Sequence, residues 1–240
     1  DWRNIWIIIS VAIILFLPLV SYFLVKEVKL SSREDDNEVI KENIKQWKRS
    51  EVIKDYRFII IALNMLAMPW IATGVFVYQS FVTNSKGWGE YTISQSFMSY
   101  SIFSVITLIV AGYLIDKFTS RKLLIYMNIP LFLGTLVIIY FDAPQTAFLF
   151  LGLVGISNGL ANLLGSSTWA EIYGVKYIGS IKALTTALMV FATAFGTALF
   201  GFFIDAGFSI EKIAFIAAIA IAFSIALLFT IRKKLNPVYL

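Results

Sequence analysis

The chain has 240 residues, of which 59% are hydrophobic and 15% charged, with a mean hydropathy of +0.80 and a formal net charge of +5. Soluble domains carry about 25% charged residues, so this composition excludes an ordinary water-soluble enzyme or binding module. There is no cysteine and no histidine, which excludes disulfides, thiolate chemistry, His-based proton relays and metal sites built on those residues.

Charge-free runs mark the elements in chain order. The first is Asn4–Val25. It is longer than the apolar region of a signal peptide and no A-x-A-like cleavage site follows it. Asp1-Trp2-Arg3 lacks an initiator Met and reads as the middle of a longer chain. A polar segment, Lys26–Arg57, follows with nine basic and eight acidic residues. Within it Val39-Ile40, Ile44, Trp47 and Val52-Ile53 recur at roughly helical spacing. That pattern fits either a short amphipathic helix on a membrane face or a solvated, partly helical linker. Six more runs then come in quick succession: Phe58–Ser85, Tyr91–Ile115, Leu123–Phe141, Ala143–Ala170, Ala183–Ile204 and Ile213–Ile231. Even a run as short as Leu123–Phe141 reaches roughly 28 Å as a helix, about the thickness of a hydrocarbon core.

The expected fold class is therefore an all-α membrane protein with seven transmembrane helices. Its divisions are a lone helix over 1–25, a cytoplasmic linker over 26–57 and a six-helix unit over 58–240. All 20 basic residues except Arg3, Lys86 and Lys212 fall in one set of loops. Positive residues stay on the cytoplasmic side, so the N-terminal residues are expected outside and the C-terminus inside, in a plasma (inner) membrane. The net charge thus reports topology, and nucleic acid is not an expected partner.

Two stretches carry the internal organisation. Gly112–Lys122 reads GYLIDKFTSRK, and a reduced copy of its front, GFFID, stands 89 positions later at Gly201–Asp205. The alignment extends without gaps from Ser94–Asp116 to Ala183–Asp205. The shift equals three spans, so one aspartate ends its helix inside and the other outside. That is the pattern of two inverted three-helix repeats within a six-helix half.

With these residues in hand, the chain resembles the major facilitator superfamily over its whole length. GYLIDKFTSRK resembles that family's loop motif of glycine, three residues, aspartate and bases. It departs from it at Thr119, where glycine is usual, and at Ser120, where a base is usual. Asp1-Trp2-Arg3 looks like the start of the family's sixth helix, and the linker like its central cytoplasmic loop. Residues 58–240 look like its C-terminal half, and Trp169–Gly174 through Gly179 like its loop between helices ten and eleven. The resemblance implies a carrier working by alternating access, of which this chain is the C-terminal part. Its implied partners are the lipid bilayer, a small-molecule substrate and a missing N-terminal half. No cofactor is expected.

The gating motif comprises Gly112, Asp116, Lys117, Arg121 and Lys122. Asp116 ends a helix, where a carboxylate opposes the macrodipole by a few tenths to about 1 kcal/mol. Arg121 and Lys122 can compensate it locally. The resemblance implies a second partner, a helix N-terminus in the opposite half, which would latch the inner gate. Gly112 would let its helix approach a neighbour closely. Without the resemblance, the same residues make only a polar, positive hairpin.

Polar residues inside the spans are candidates for the substrate pathway: Asn64, Tyr78 and Gln79 in the second span, and Asn158 and Asn162 on one face of the fifth. The family's first and fourth helices of each half line its cavity, which here means these two spans. The alternative for each is an ordinary interhelical hydrogen bond, worth about 0.6 kcal/mol. No span carries an acid or base well inside it, and Glu171 at the inner mouth of the fifth comes nearest. A seven-helix receptor shares the topology. A retinal pigment would need a lysine in Ile213–Ile231, which has none.

Overall fold

The computed structural model describes residues 2–27 and 44–239. They fall into two units, divided between Asn43 and Ile44. The first unit contains a single helix, α1 (Trp2–Glu27), with Pro18 inside it. Its apolar stretch, Arg3–Pro18, is shorter than the six helices of the second unit that are long and apolar enough to cross a membrane. Val39-Ile40 of the expected amphipathic helix lie outside the described residues.

The second unit begins within the expected linker. Residues 44–48 are not helical: Ile44 forms an isolated antiparallel bridge with Tyr239. One turn, α2 (Arg49–Val52), follows. Glu51 closes it by accepting a 2.8 Å hydrogen bond from the Lys48 amide. That bond, with Lys45 beside it, holds the Glu51 carboxyl below its ordinary pKa.

The first span of this unit is α3 (Tyr56–Val77). Asp55 caps it by accepting from the Arg57 amide at 2.9 Å. The charge-free run here predicts one helix through Ser85, but the chain breaks at Tyr78 and restarts as α4 (Gln79–Ser85). The next span, α5 (Thr92–Phe118), ends at Thr119, which has a φ of 73°. The third is built in pieces: α6 (Ser120–Leu123), a 3-10 turn at Leu124–Tyr126, and α7 (Ile129–Tyr140), with Pro130 in its first turn. Proline is tolerated there because that N–H has no helical partner in any case. The last three spans are α8 (Gln145–Tyr173), α9 (Ile178–Asp205) and α10 (Ile210–Ile231), and a 3-10 turn at Arg232–Lys234 follows.

The helices pair in a regular way. α5 lies along α8 and α9 along α3, while α7 packs on α8 and α10 on α3; α7 and α10 also touch. Exchanging the triplet α3, α5, α7 for α8, α9, α10 leaves these neighbour relations unchanged.

Two apolar clusters form the core. One includes Trp88, Leu131, Phe150, Phe200 and Ile210. The other, at the end rich in bases, includes Phe58, Leu124, Trp169, Tyr173 and Leu235. Lipid tails are as apolar as these side chains, so close packing rather than water exclusion must hold the spans together. Glycine supplies that closeness along α8. A Cβ on Gly155 would strike the Tyr100 carbonyl of α5, and one on Gly159 would lie 2.6 Å from the Ser104 carbonyl. The expectation for Gly112 is corrected here: the nearest atom to a Cβ there is Leu163 Cδ2 at 3.9 Å, an ordinary contact. The tight approach of α5 and α8 is made by the glycines of α8.

The end opposite the bases is tied by Lys86. Its side chain is fully buried and reaches Asp142 at 2.7 Å and Glu211 at 2.9 Å, joining two loops and the first turn of α10. Burial alone would lower the pKa of this ammonium. Hydrogen bonds to both carboxylates outweigh that and hold it above the ordinary lysine value.

Candidate functional site

A cavity of about 400 Å³ lies among α3, α5, α8 and α9. Its α3 wall follows the helical repeat through Ala62, Met65, Leu66, Pro69, Thr73 and Phe76. Pro69 has no N–H to offer the Met65 carbonyl one turn earlier, so the wall holds a backbone acceptor freed from the helix. Across from it stand Asn158, Asn162 and Ser166 of α8, with Thr185 and Thr186 of α9 and Tyr100 of α5 at the sides. The Asn158 amide nitrogen donates to Ser104 Oγ at 2.9 Å, and that of Asn162 to the Asn158 carbonyl at 3.0 Å. These bonds orient both side chains, and each amide keeps a second N–H donor and its Oδ1 acceptor. Most of the lining is apolar, which suits a small solute with an apolar body and a few polar groups.

Of the sequence candidates, the structure brings Asn158 and Asn162 together at this cavity. It places the other three elsewhere. Asn64 is fully buried on the side of α3 that faces α10, where its amide nitrogen lies 3.4 Å from Ser224 Oγ. Its carbonyl accepts from Asn128 at 2.6 Å. Asn64 is one position before Met65 and two before Leu66, so it points away from the cavity face. Tyr78 sits at the break after α3, with its hydroxyl filling the space a Cβ on Gly201 would need. Gln79 lines a different recess, with Thr83, Asn84 and Tyr91.

Lys182 was missed by the sequence reading, which started the sixth span at Ala183. The helix begins at Ile178, so Lys182 lies one turn inside it and lines the cavity. It is the one lysine, arginine or acid among the lining residues, and no ion pair joins it to the described residues. The signal in the sequence was Tyr177-Ile178-Gly179-Ser180-Ile181, an uncharged stretch that continues the apolar run backward past the lysine.

The hairpin of GYLIDKFTSRK is built differently from its expectation. Arg121 does not compensate Asp116. Its Nε pairs with Glu171 Oε1 at 2.8 Å, and its Nη1 donates to Asn236 Oδ1 at 2.9 Å. Glu171 Oε2 also accepts from the Ser120 amide at 2.9 Å and from the Ser120 hydroxyl. The carboxylate at the end of α8 therefore anchors the turn that starts α6. Asp116 is exposed and has no ion pair or hydrogen bond with the described residues, and Lys122 is likewise exposed and unpaired. Lys117 stands 5.4 Å from the Phe118 ring centroid.

Six apolar helices, a cavity between four of them and a charged hairpin at the basic end accompany a direct comparison with known families. The family model described as Major Facilitator Superfamily matches residues 59–238. The chain belongs to the Major Facilitator Superfamily. Members of this superfamily are in general transporters and not enzymes, and the chain is accordingly an integral membrane protein with a Major Facilitator Superfamily transporter region. Membership does not favour the receptor alternative. Among curated proteins, none matches the chain.

Proposed function

We propose that residues 44–239 act as the C-terminal half of a secondary transporter that moves a small solute by alternating access. The cavity among α3, α5, α8 and α9 carries this reading. Its walls expose Asn158, Asn162 and Lys182 on the side away from the apolar core, where a facing half completes the site. The uneven burial of the spans supports such a half. Only 6% of the most apolar window of α5 and 17% of that of α9 is buried, against 61% for α3 and 50% for α8. α5 and α9 flank the cavity, so they are the natural surfaces for the N-terminal partner. The exchangeable neighbour relations of the two triplets support the inverted repeat read from Gly112–Asp116 and Gly201–Asp205. The clustering of bases at one end supports a cytoplasmic C-terminus, with α1 as a seventh span. Asp116, free of local partners, is available to latch against the opposite half.

The test needs no knowledge of the substrate. A cysteine replacing Asn162 in the full-length carrier is expected to react with a membrane-impermeant maleimide from either side of the membrane, in populations that exclude one another. Asp116→Asn is expected to shift that labelling toward the basic side and to reduce flux while leaving membrane insertion intact. Labelling from one side only would sink alternating access. An unchanged distribution in the Asp116→Asn carrier would sink the latch and leave the transport reading standing.

A further inference from the structure

The bases of the hairpin line a second recess, separate from the substrate cavity. It measures about 550 Å³ and lies at the basic end, between the close of α5, α6 and the turn that follows α10. Three cations face it, Arg121, Lys122 and Arg232, with the Asn236 amide beside them and no acidic residue in its lining. Lys122 and Arg232 have no carboxylate partner among the described residues, and Arg232 is steadied by the Phe229 ring, 4.1 Å below its guanidinium. Arg121 is held in place from behind by Glu171 and Asn236. Phe118, Leu123 and Ile125 make an apolar wall. Leu114 and Phe118 are four residues apart and share one face of α5, while Asp116 lies about 160–200° around the helix from them. The recess and the free aspartate thus occupy opposite sides of the same helix end.

A guanidinium fork oriented from behind, an exposed ammonium and a second guanidinium match a phosphate group in charge and geometry. An apolar wall continuous with the ends of spans suits an acyl chain attached to it. We propose that this recess binds a phosphate group, presented by an anionic phospholipid of the adjoining leaflet or supplied as a soluble phosphate. The inference rests on the reading that the basic end meets the inner leaflet. Bound there, the phosphate braces the turn after Thr119 and so fixes the helix end that carries Asp116.

The experiment uses the full-length carrier in detergent, titrated with phosphatidylglycerol or phosphatidylcholine and read by native mass spectrometry. Removing two bases near a membrane surface costs about thirtyfold in affinity for an anionic lipid. The double variant Lys122→Gln/Arg232→Gln is expected to lose phosphatidylglycerol binding by that factor and to leave phosphatidylcholine unchanged. Both residues are exposed and have no carboxylate partner among the described residues, so their loss strands no buried charge. The control removes two bases from elsewhere on the same end, Lys54→Gln/Lys176→Gln, and is expected to bind like the parent. An equal loss in both variants would overturn the site, because general surface charge would explain it. Millimolar inorganic phosphate is expected not to displace the lipid; displacement would overturn the lipid source in favour of a soluble phosphate. Orientation is checked separately, by impermeant labelling of a cysteine replacing Lys233. Labelling from outside would overturn the leaflet assignment while the detergent measurement still judged the recess.

Discussion

Thr119→Gly is expected to stabilise this protein, against the usual sign of a single substitution. Thr119 is the one non-glycine residue with positive φ among the described residues, at φ 73° and ψ 146°. A β-branched side chain in that region costs on the order of 1–3 kcal/mol. Its hydroxyl is also buried without a hydrogen-bond partner among the described residues, a further penalty of about 1–3 kcal/mol where water is excluded. Glycine removes both and gives back roughly 0.5–1 kcal/mol through the freer unfolded chain. A net gain of about 1–5 kcal/mol follows, and each kcal/mol raises the thermal midpoint of a chain of this size by roughly 2–4 °C. The assay is intrinsic-fluorescence unfolding of the full-length protein in detergent, with Thr119→Ala alongside. Alanine keeps a Cβ on the strained backbone and loses the hydroxyl together with the γ-methyl, so it should fall between parent and glycine variant. A glycine variant that melts at or below the parent would refute the strain argument.

Gly155→Leu should prevent α8 from seating on α5, because its first side-chain carbon already meets the Tyr100 carbonyl. A cost above about 3 kcal/mol and loss of the monodisperse peak in size-exclusion chromatography are expected. Lys86→Gln should cost about 1–2 kcal/mol, less than a fully buried pair, because the Asp142 side chain is 79% exposed. With its folded pKa raised, Lys86 contributes fully below its unfolded value of about 10.4 and loses that contribution as pH climbs through the folded value. The gap in melting temperature between parent and variant should therefore hold from pH 7 to 9, begin to narrow above about pH 10.4 and close only as pH climbs through the raised folded value. Asp55→Ala removes the cap of α3 and the partner of the buried Arg57 guanidinium, whose Nη2 lies 2.7 Å from the Asp55 carboxylate. A loss of about 3–5 kcal/mol is expected, visible as a lower midpoint that Asp55→Asn restores only in part.

The spans were legible because a membrane helix announces itself by charge-free length, and local chemistry adjusts only its ends. The break at Tyr78 was not, since nothing apolar changes there. Asn158 and Asn162 could be placed on one face by their spacing, but spacing says nothing about which way that face turns. Asn64 has the same credentials in sequence and turns toward Ser224 instead. Lys182 was hidden by a helix start five residues earlier than the charge pattern implied. Glu171 was noticed as a marginal charge at a helix end. Its bond to Arg121 joins residues 50 positions apart, and no periodicity encodes that. The pairing corrects the simplest reading of the hairpin, in which neighbouring charges neutralise one another.

The basic end also carries a strap. The Lys45 amide donates to the Val238 carbonyl at 2.8 Å and the Trp47 amide to the Tyr173 carbonyl at 3.0 Å. Gln46 accepts from the Lys176 amide at 3.0 Å, and its amide group lies over Gly174, where a Cβ would displace it. Tyr173 donates to Asp55 at 3.2 Å, and Arg57 reaches the Lys234 and Asn236 carbonyls at 3.3 and 3.1 Å. The feet of α3, α8 and α10 are therefore splinted into one block by segments that lie outside the bilayer. No such splint grips α5 at its foot beyond the Thr119 turn. A tug on the residues before Ile44 would be felt first by this block as a whole, so the strap behaves as a tow point for the feet of α3, α8 and α10 together.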